Sequence, residues 1–218
     1  MSTTTHHQAQ QDNGQRQASP KAGVSDTPDA GGDEAALLAP LRRVVKPFTT
    51  VVDSLSDENW RASSPCAGWT ARDVLDHVMG TQRDFLAGHG LDCGPATDPQ
   101  RHPAAAWQEH LNMVLRVLDE DSVWHRAYAG YFGPTTIGQT MVTFYGFDLI
   151  VHRWDLATAA GRSERFTPAE LNELQEAIVG FGSSLYQEGI CAPALEVAAD
   201  ADLQARVLAA LGRRPTPA

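Results

Sequence analysis

Asp148 and His152 stand four residues apart in FDLIVHRWDLA (residues 147–157), a stretch that is otherwise almost wholly apolar, and Asp155 follows three residues later. On a helix, positions four apart are neighbours on one face. A carboxylate and an imidazole so placed can share a hydrogen bond as a structural pair. They can also ligate one divalent cation, as two histidines at the same spacing do in zinc proteases. Spacing alone leaves both readings open. Asp148 needs a partner on either, because an unpartnered buried carboxylate is strongly disfavoured and protonates instead.

A cation needs a third ligand from another element. His77, in RDVLDHVMG (residues 72–80), is the best candidate. His89 and His102 fall in loops, His110 lies on a separate helical stretch, and His125 follows Trp124 near a Gly/Pro-rich crossover. Asp155 caps, bridges to an arginine, or supports a ligating histidine from behind. Cys66 precedes a helix and is either a thiol activated by the helix N-terminus or a small residue packed under Trp69. Trp69 and Trp154 read as core aromatics. Arg153 faces solvent or binds an anionic substrate.

The elements that must position these residues read as helices. Leu37, Leu38, Leu41, Val44, Val45, Phe48, Val51, Val52 and Leu55 recur at helical spacing from Asp33 onward. Pro40 and Pro47 start or kink that helix. Thr70 is an N-cap for residues 71–88, with Asp73 three residues on. Residues 104–121 form a third helix. Residues 121–134 are a crossover with no convincing strand, although short strands there stay open. Thr135 or Thr136 caps a long helix that runs to Ala160 and stops at Gly161. Its apolar residues go nearly all round, so it is central. Thr167 caps a fifth helix over residues 167–187 in which Glu170 completes the capping pattern, and a short sixth helix over residues 200–215 is closed by Gly212. The fold expected is all-α, a four-helix bundle with short C-terminal additions, over residues 34–218. Residues 1–33 are rich in Gln, Ser, Thr, Gly and Asp and are expected to be a disordered tail.

Bulk properties narrow the function. The chain has 218 residues, 42% hydrophobic and 20% charged, with a net charge of −10. Without a basic stripe it is a poor partner for nucleic acid or an anionic membrane. No apolar run approaches the roughly 20 residues of a membrane span, and no signal-type core opens the chain. Cys66, Cys93 and Cys191 are odd in number and far apart, so a cytoplasmic location is expected.

Three stretches then share a likeness. SSPCAGWTARDVLDHV (residues 63–78) and DLIVHRWDLATAAGR (residues 148–162) resemble the two signature elements of the DinB-like, mycothiol-dependent maleylpyruvate isomerase N-terminal family. APALEVAADADLQARVLAALGRRP (residues 192–215) resembles the closing segment of an actinobacterial subgroup. The resemblance implies a DinB-like four-helix bundle holding a divalent metal, usually zinc, with Ni2+ or Fe2+ as alternatives. Carried across by position, the ligands are His77, Asp148 and His152. Asp148 stands where the isomerases have Glu, one methylene longer. The implied activity is metal-dependent S-transfer, or thiol-assisted isomerisation of a small electrophilic substrate, with mycothiol or a similar low-molecular-weight thiol as cosubstrate. The rivals are a non-catalytic metal- and small-molecule-binding module and a bundle that has lost its metal. Such bundles often dimerise, so a homodimer is among the partners the resemblance allows.

Overall fold

The computed structural model of the chain describes residues 36–187 and 190–214. The expected tail at residues 1–33 lies outside the described residues.

Helix α1 (Ala39–Ser54) starts at a proline in its first turn and buries Leu41, Val44, Val45, Phe48, Val51 and Val52 along one stripe. Helix α2 (Ala71–Gly88) begins at a full capping box. The Asp73 amide donates to Thr70 Oγ1 at 3.3 Å, and the Thr70 amide donates to Asp73 Oδ2 at 2.8 Å. That closure satisfies amides the helix itself leaves orphaned. Helix α3 (Pro103–Leu118) ends three residues short of the expected boundary at Asp121, and a separate short helix α4 (Asp121–Trp124) opens the crossover.

The crossover holds a hairpin. Strands β1 (Ala127–Gly130) and β2 (Gly133–Thr136) pair antiparallel, with Ala127 opposite Thr136 and Gly130 opposite Gly133, leaving Tyr131 and Phe132 as the turn. The hairpin feeds helix α5 (Ile137–Ala159), capped by Thr136, whose Oγ1 accepts from the Gln139 amide at 3.1 Å. Helix α6 (Pro168–Phe181) follows the Thr167–Glu170 capping box and gives way at Gly182 to a 3-10 turn (Gly182–Tyr186), earlier than the sequence pattern suggested. Helix α7 (Leu203–Ala210) closes the described chain, with Asp202 as its cap.

Helices α1, α2, α3 and α5 form the four-helix bundle. Helix α5 packs on α1 and α2, α3 packs on the other side of both, and α6 and α7 are laid against the outside of α5 and α6 respectively. The core runs through Leu41, Phe48, Leu75, Trp107, Met141 and Leu149. Gly138 shows how tightly α5 is seated: a Cβ there would collide with the Trp124 ring. The fold class is therefore all-α, with one small hairpin as the departure. No helix among the described residues is long and apolar enough to cross a membrane.

Candidate metal centre

Helix α5 carries Asp148 and His152 one turn apart on the face that meets α2, and α2 carries His77 to the same point. His152 Nε2 lies 3.2 Å from Asp148 Oδ1, and His77 Nε2 lies 4.0 Å from the same oxygen. One donor atom from each of the three residues falls within 4.8 Å of the others. Donors at 2.0–2.2 Å from a tetrahedral ion lie roughly 3.3–3.6 Å apart, so small side-chain adjustments complete a site. The shorter Asp148 side chain does not prevent convergence. Asp148 Oδ2 is buried and has no hydrogen-bond partner. A carboxylate that meets two imidazoles through Oδ1 and leaves Oδ2 without a partner is one that a divalent cation would satisfy.

Exposure is graded across the trio. The side chains of His77, Asp148 and His152 are 30%, 21% and 6% exposed, so the site opens on the His77 side. The charge balance follows. Burial lowers the proton affinity of His77 and outweighs the pull of Asp148, leaving a neutral ring suited to ligation. Burial also opposes charge on His152, but Asp148 on one ring nitrogen and Asp155 on the other raise it well above the ordinary histidine range. A positive charge is therefore already favoured between His152 and Asp148.

Asp155 sits behind His152. Its Oδ2 is 2.9 Å from His152 Nδ1, which fixes the ring so that Nε2 points at Asp148. This is the supporting carboxylate common behind metal-bound histidines. Arg213 donates to both oxygens of Asp155, from Nη2 to Oδ2 at 2.9 Å and from Nε to Oδ1 at 3.3 Å. Burial pushes the Asp155 carboxyl up, yet Arg213 and His152 together hold it down at about 2. Cys66 Sγ also donates to Asp155 Oδ2, at 3.3 Å. Cys66, His152 and Asp155 thus form a second group with ligand-like spacing. The Arg213 guanidinium already supplies the cation there, so the open trio is the metal candidate.

Sequence reasoning reached His77, Asp148 and His152, and the structure brings all three together. It missed Arg213 and Cys191. The Cys191 thiol donates to the Leu211 carbonyl at 3.0 Å and lies 3.6 Å from Arg213 Nη1. Gly212 makes this approach feasible: its φ is +72°, and a Cβ there would lie 2.7 Å from that of Ala192. Three other expectations change. Trp69 is half-buried, with its ring centroid 4.9 Å from that of His77, so it walls the site, whereas Trp154 is core. Cys66 touches Asp155 rather than only packing under Trp69. Arg153 neither faces solvent nor awaits a substrate. It is buried and forked onto Glu170, with Nη1 to Oε1 at 2.6 Å and Nη2 to Oε2 at 3.0 Å. The apolar face it shares with Phe166 leaves an arginine no alternative to pairing. His89, His102, His110 and His125 stay outside the trio.

The trio opens into a cleft of about 1160 Å³. One wall is the α5 face bearing Thr140, Phe144, Phe147 and Asp148. The hairpin turn and the 3-10 turn after α6 form much of the rest.

Fold and geometry together define a helical bundle that converges His, Asp and His at the base of an open cleft. Residues 41–157 match the family described as the mycothiol maleylpyruvate isomerase N-terminal domain, and the chain belongs to that family. The membership links it to mycothiol-related, metal-dependent chemistry. Two uncharacterised proteins of Mycobacterium tuberculosis, from strains CDC 1551 / Oshkosh and H37Rv, are each 22% identical over 130 residues, 58% of this chain and 69% of the relative. No solved structure matches the chain significantly.

Proposed function

We propose that this protein is a metal-dependent enzyme that uses a low-molecular-weight thiol, of the mycothiol kind, for S-transfer to a small electrophile or for its thiol-assisted isomerisation. The observation that carries this reading is the convergence of His77 and His152 on Asp148 Oδ1, with Asp148 Oδ2 left without a partner, in the lining of a cleft wide enough for a ligand. His77, Asp148 and His152 would hold a divalent ion, zinc first among the candidates, which would supply Lewis acidity and favour the thiolate form of a small thiol.

The chain's own residues do the remaining work. Asp155, anchored by Arg213, holds the His152 ring in one orientation and tautomer. Trp69 packs against one side of His77 and limits the positions its ring can take. The cleft confines thiol and electrophile together, and confinement of two reactants lowers a bimolecular barrier. A thiolate attacking a conjugated carbon forms an S–C bond and moves an electron pair onto the conjugated acceptor. Protonation of that carbanion leaves the thioether, which is S-transfer. Rotation followed by S–C cleavage returns the thiolate, which is isomerisation.

The test is metal content together with turnover. Untagged protein purified without chelators is expected to hold about one divalent ion per chain by plasma mass spectrometry. His77→Ala and His152→Ala are expected to lose it, along with turnover of thiol and electrophile panels. Metal retained in both variants would sink the ligand assignment. Metal without turnover in any panel would leave the binding-module reading.

A further inference from the structure

The cleft also reveals what the electrophile is, provided the reading above is right that the cleft receives one. Its walls are aromatic. Tyr131 and Phe132, at the hairpin turn, are 74% and 60% exposed, and Phe144 is 44% exposed. Such exposure is unfavourable for a chain with nothing to cover it, and clustered exposed apolar groups mark binding sites. Phe181 organises the wall. Its ring centroid lies 5.5 Å from that of Phe132 at 33°, and 5.3 Å from that of Phe147 at 87°. Faces and edges are thus both offered, and a planar ring can be stacked and edge-contacted at once. Phe144 lies one helical turn before Asp148, so the aromatic wall begins next to the candidate metal ligands.

Charge on the cleft's surface points the same way. Among the described residues its basic groups are Arg213 and three histidines. Arg213 is committed to Asp155, His77 and His152 belong to the trio, and His89 is edge-packed on Phe85 and Tyr128. No free guanidinium or ammonium waits for a carboxylate, so the proposed ion, partly offset by Asp148, would be the one cation offered, and a dicarboxylate would leave its second carboxylate unpaired against the aromatic wall. The remaining polar groups are neutral, such as Thr140, Thr143 and Gln187. These suit a carbonyl or hydroxyl on a ring. A cleft of about 1160 Å³ also exceeds the roughly 300–1,000 Å³ of a typical single-ligand pocket. It has room for a thiol beside the ring.

We infer that the substrate is an uncharged, ring-bearing conjugated carbonyl compound, aromatic or quinonoid, and not a dicarboxylate of the kind the family's name invokes. The chain's own N-terminal segment is a poor occupant, because residues 1–35 contain no Phe, Trp or Tyr.

The test is isothermal calorimetry on the full chain with 2-naphthol, an unreactive neutral bicyclic probe, and with maleate, a dicarboxylate. Naphthol is expected to bind with Kd below about 1 mM, with maleate showing no heat. Phe132→Ala and Phe144→Ala change exposed positions and leave the core intact. Each is expected to weaken naphthol by about three- to tenfold. Maleate binding more tightly than naphthol, no naphthol binding, or naphthol binding that ignores both variants overturns the inference. So does a second copy of the chain as occupant, seen as a dimer that Phe132→Ala dissociates. His77→Ala separates the two proposals. Naphthol binding that survives loss of the metal supports the aromatic site alone, whereas metal binding without naphthol binding removes the aromatic site and leaves the enzyme reading standing.

Discussion

Helix α5 places two buried arginine–carboxylate assemblies side by side, and they differ in what they leave unsatisfied. Arg153 points outward to α6. It is forked onto Glu170, and its Nε lies 2.8 Å from Glu164 Oε1, an ion pair too oblique to count as a hydrogen bond. Glu170 in turn completes the cap of α6. Both Glu170 oxygens are used, and Arg153, Glu164 and Glu170 do not line the cleft that the trio opens into. Two residues later Asp155 points the other way, to Arg213, His152 and Cys66. That chain of contacts runs on to Asp148 and ends at an oxygen with no partner. A closed network docks one element on another. An open one, ending in a cleft, is arranged for something that arrives from solution.

The largest expected effect breaks the closed assembly. Glu170→Ala leaves Arg153 buried with only the oblique Glu164 contact and removes the Glu170 half of the α6 capping box. Removing one partner of a buried pair costs about 3–5 kcal/mol. Urea unfolding is expected to show a loss of that size, with metal content unchanged. A loss under about 1 kcal/mol would mean that this pair is no tighter than a surface bridge.

Two buried histidines sharpen the contrast. His152 has carboxylates on both ring nitrogens. His110 is 1% exposed, has Gln82 Oε1 at 3.0 Å from Nε2, and has no carboxylate partner. Burial pushes its pKa down to about 4, and the Arg83 charge adds to that. The unfolded chain, with an ordinary histidine near 6.5, then binds more protons than the folded one. The stability that neutral His110 contributes is complete above pH 6.5 and is lost progressively as pH falls toward 4. The full loss is about 3 kcal/mol. In His110→Gln the fall in unfolding free energy between pH 6.5 and 4 should be shallower by that amount. Parallel wild-type and variant curves would show that burial does not shift the titration of His110.

The open assembly is next. Asp155→Asn keeps shape but weakens the hold on His152 and leaves Arg213 without its countercharge. Supporting residues of this kind change metal affinity by about 10–100-fold. Competition with a chelator reads that change, and affinity within a factor of about two of wild type would mean that Asp155 serves Arg213 and not the trio.

How much of this could be read in advance follows from range. The bundle helices were legible because burial on one face writes a period into adjacent residues, as in α1, and because Thr70–Asp73 and Thr167–Glu170 are local signals. Asp148 and His152 were legible as an i, i+4 pair, and His77 as the best-placed histidine on another helix, a choice the resemblance reinforced. The hairpin was faint. Ala127–Gly130 and Gly133–Thr136 are too short and too rich in Gly and Pro to announce strands, and Tyr131–Phe132 is not a favoured hairpin turn pair. It is held by packing and by the Tyr128 hydroxyl on Thr140 Oγ1 at 2.7 Å. Arg213 was illegible as a site residue because its partner is 58 positions away. The extent of helix α6 failed at Gly182, whose φ of +52° no helical pattern encodes.

The smallest expected effect bears on how Arg213 reaches Asp155. Gly212 adopts φ +72° and lies against Ala192, so an added Cβ would meet both a backbone penalty and a contact at 2.7 Å. Gly212→Ala should cost about 1–3 kcal/mol if the turn is held as it stands. It can also relax by letting the terminal segment shift, and then Arg213 moves off Asp155. The two outcomes separate by measurement. A stability loss with unchanged metal affinity means that the turn is rigid and the Asp155–Arg213 contact survives. A small stability loss with weakened metal affinity means that the segment has moved and Asp155 has lost its anchor. Only the second result makes the open assembly depend on a residue more than fifty positions from its nearest ligand. Gly161→Ala at the end of α5 is the control: its φ is +70° but nothing lies within 4 Å of an added Cβ. It should lose stability without touching the metal.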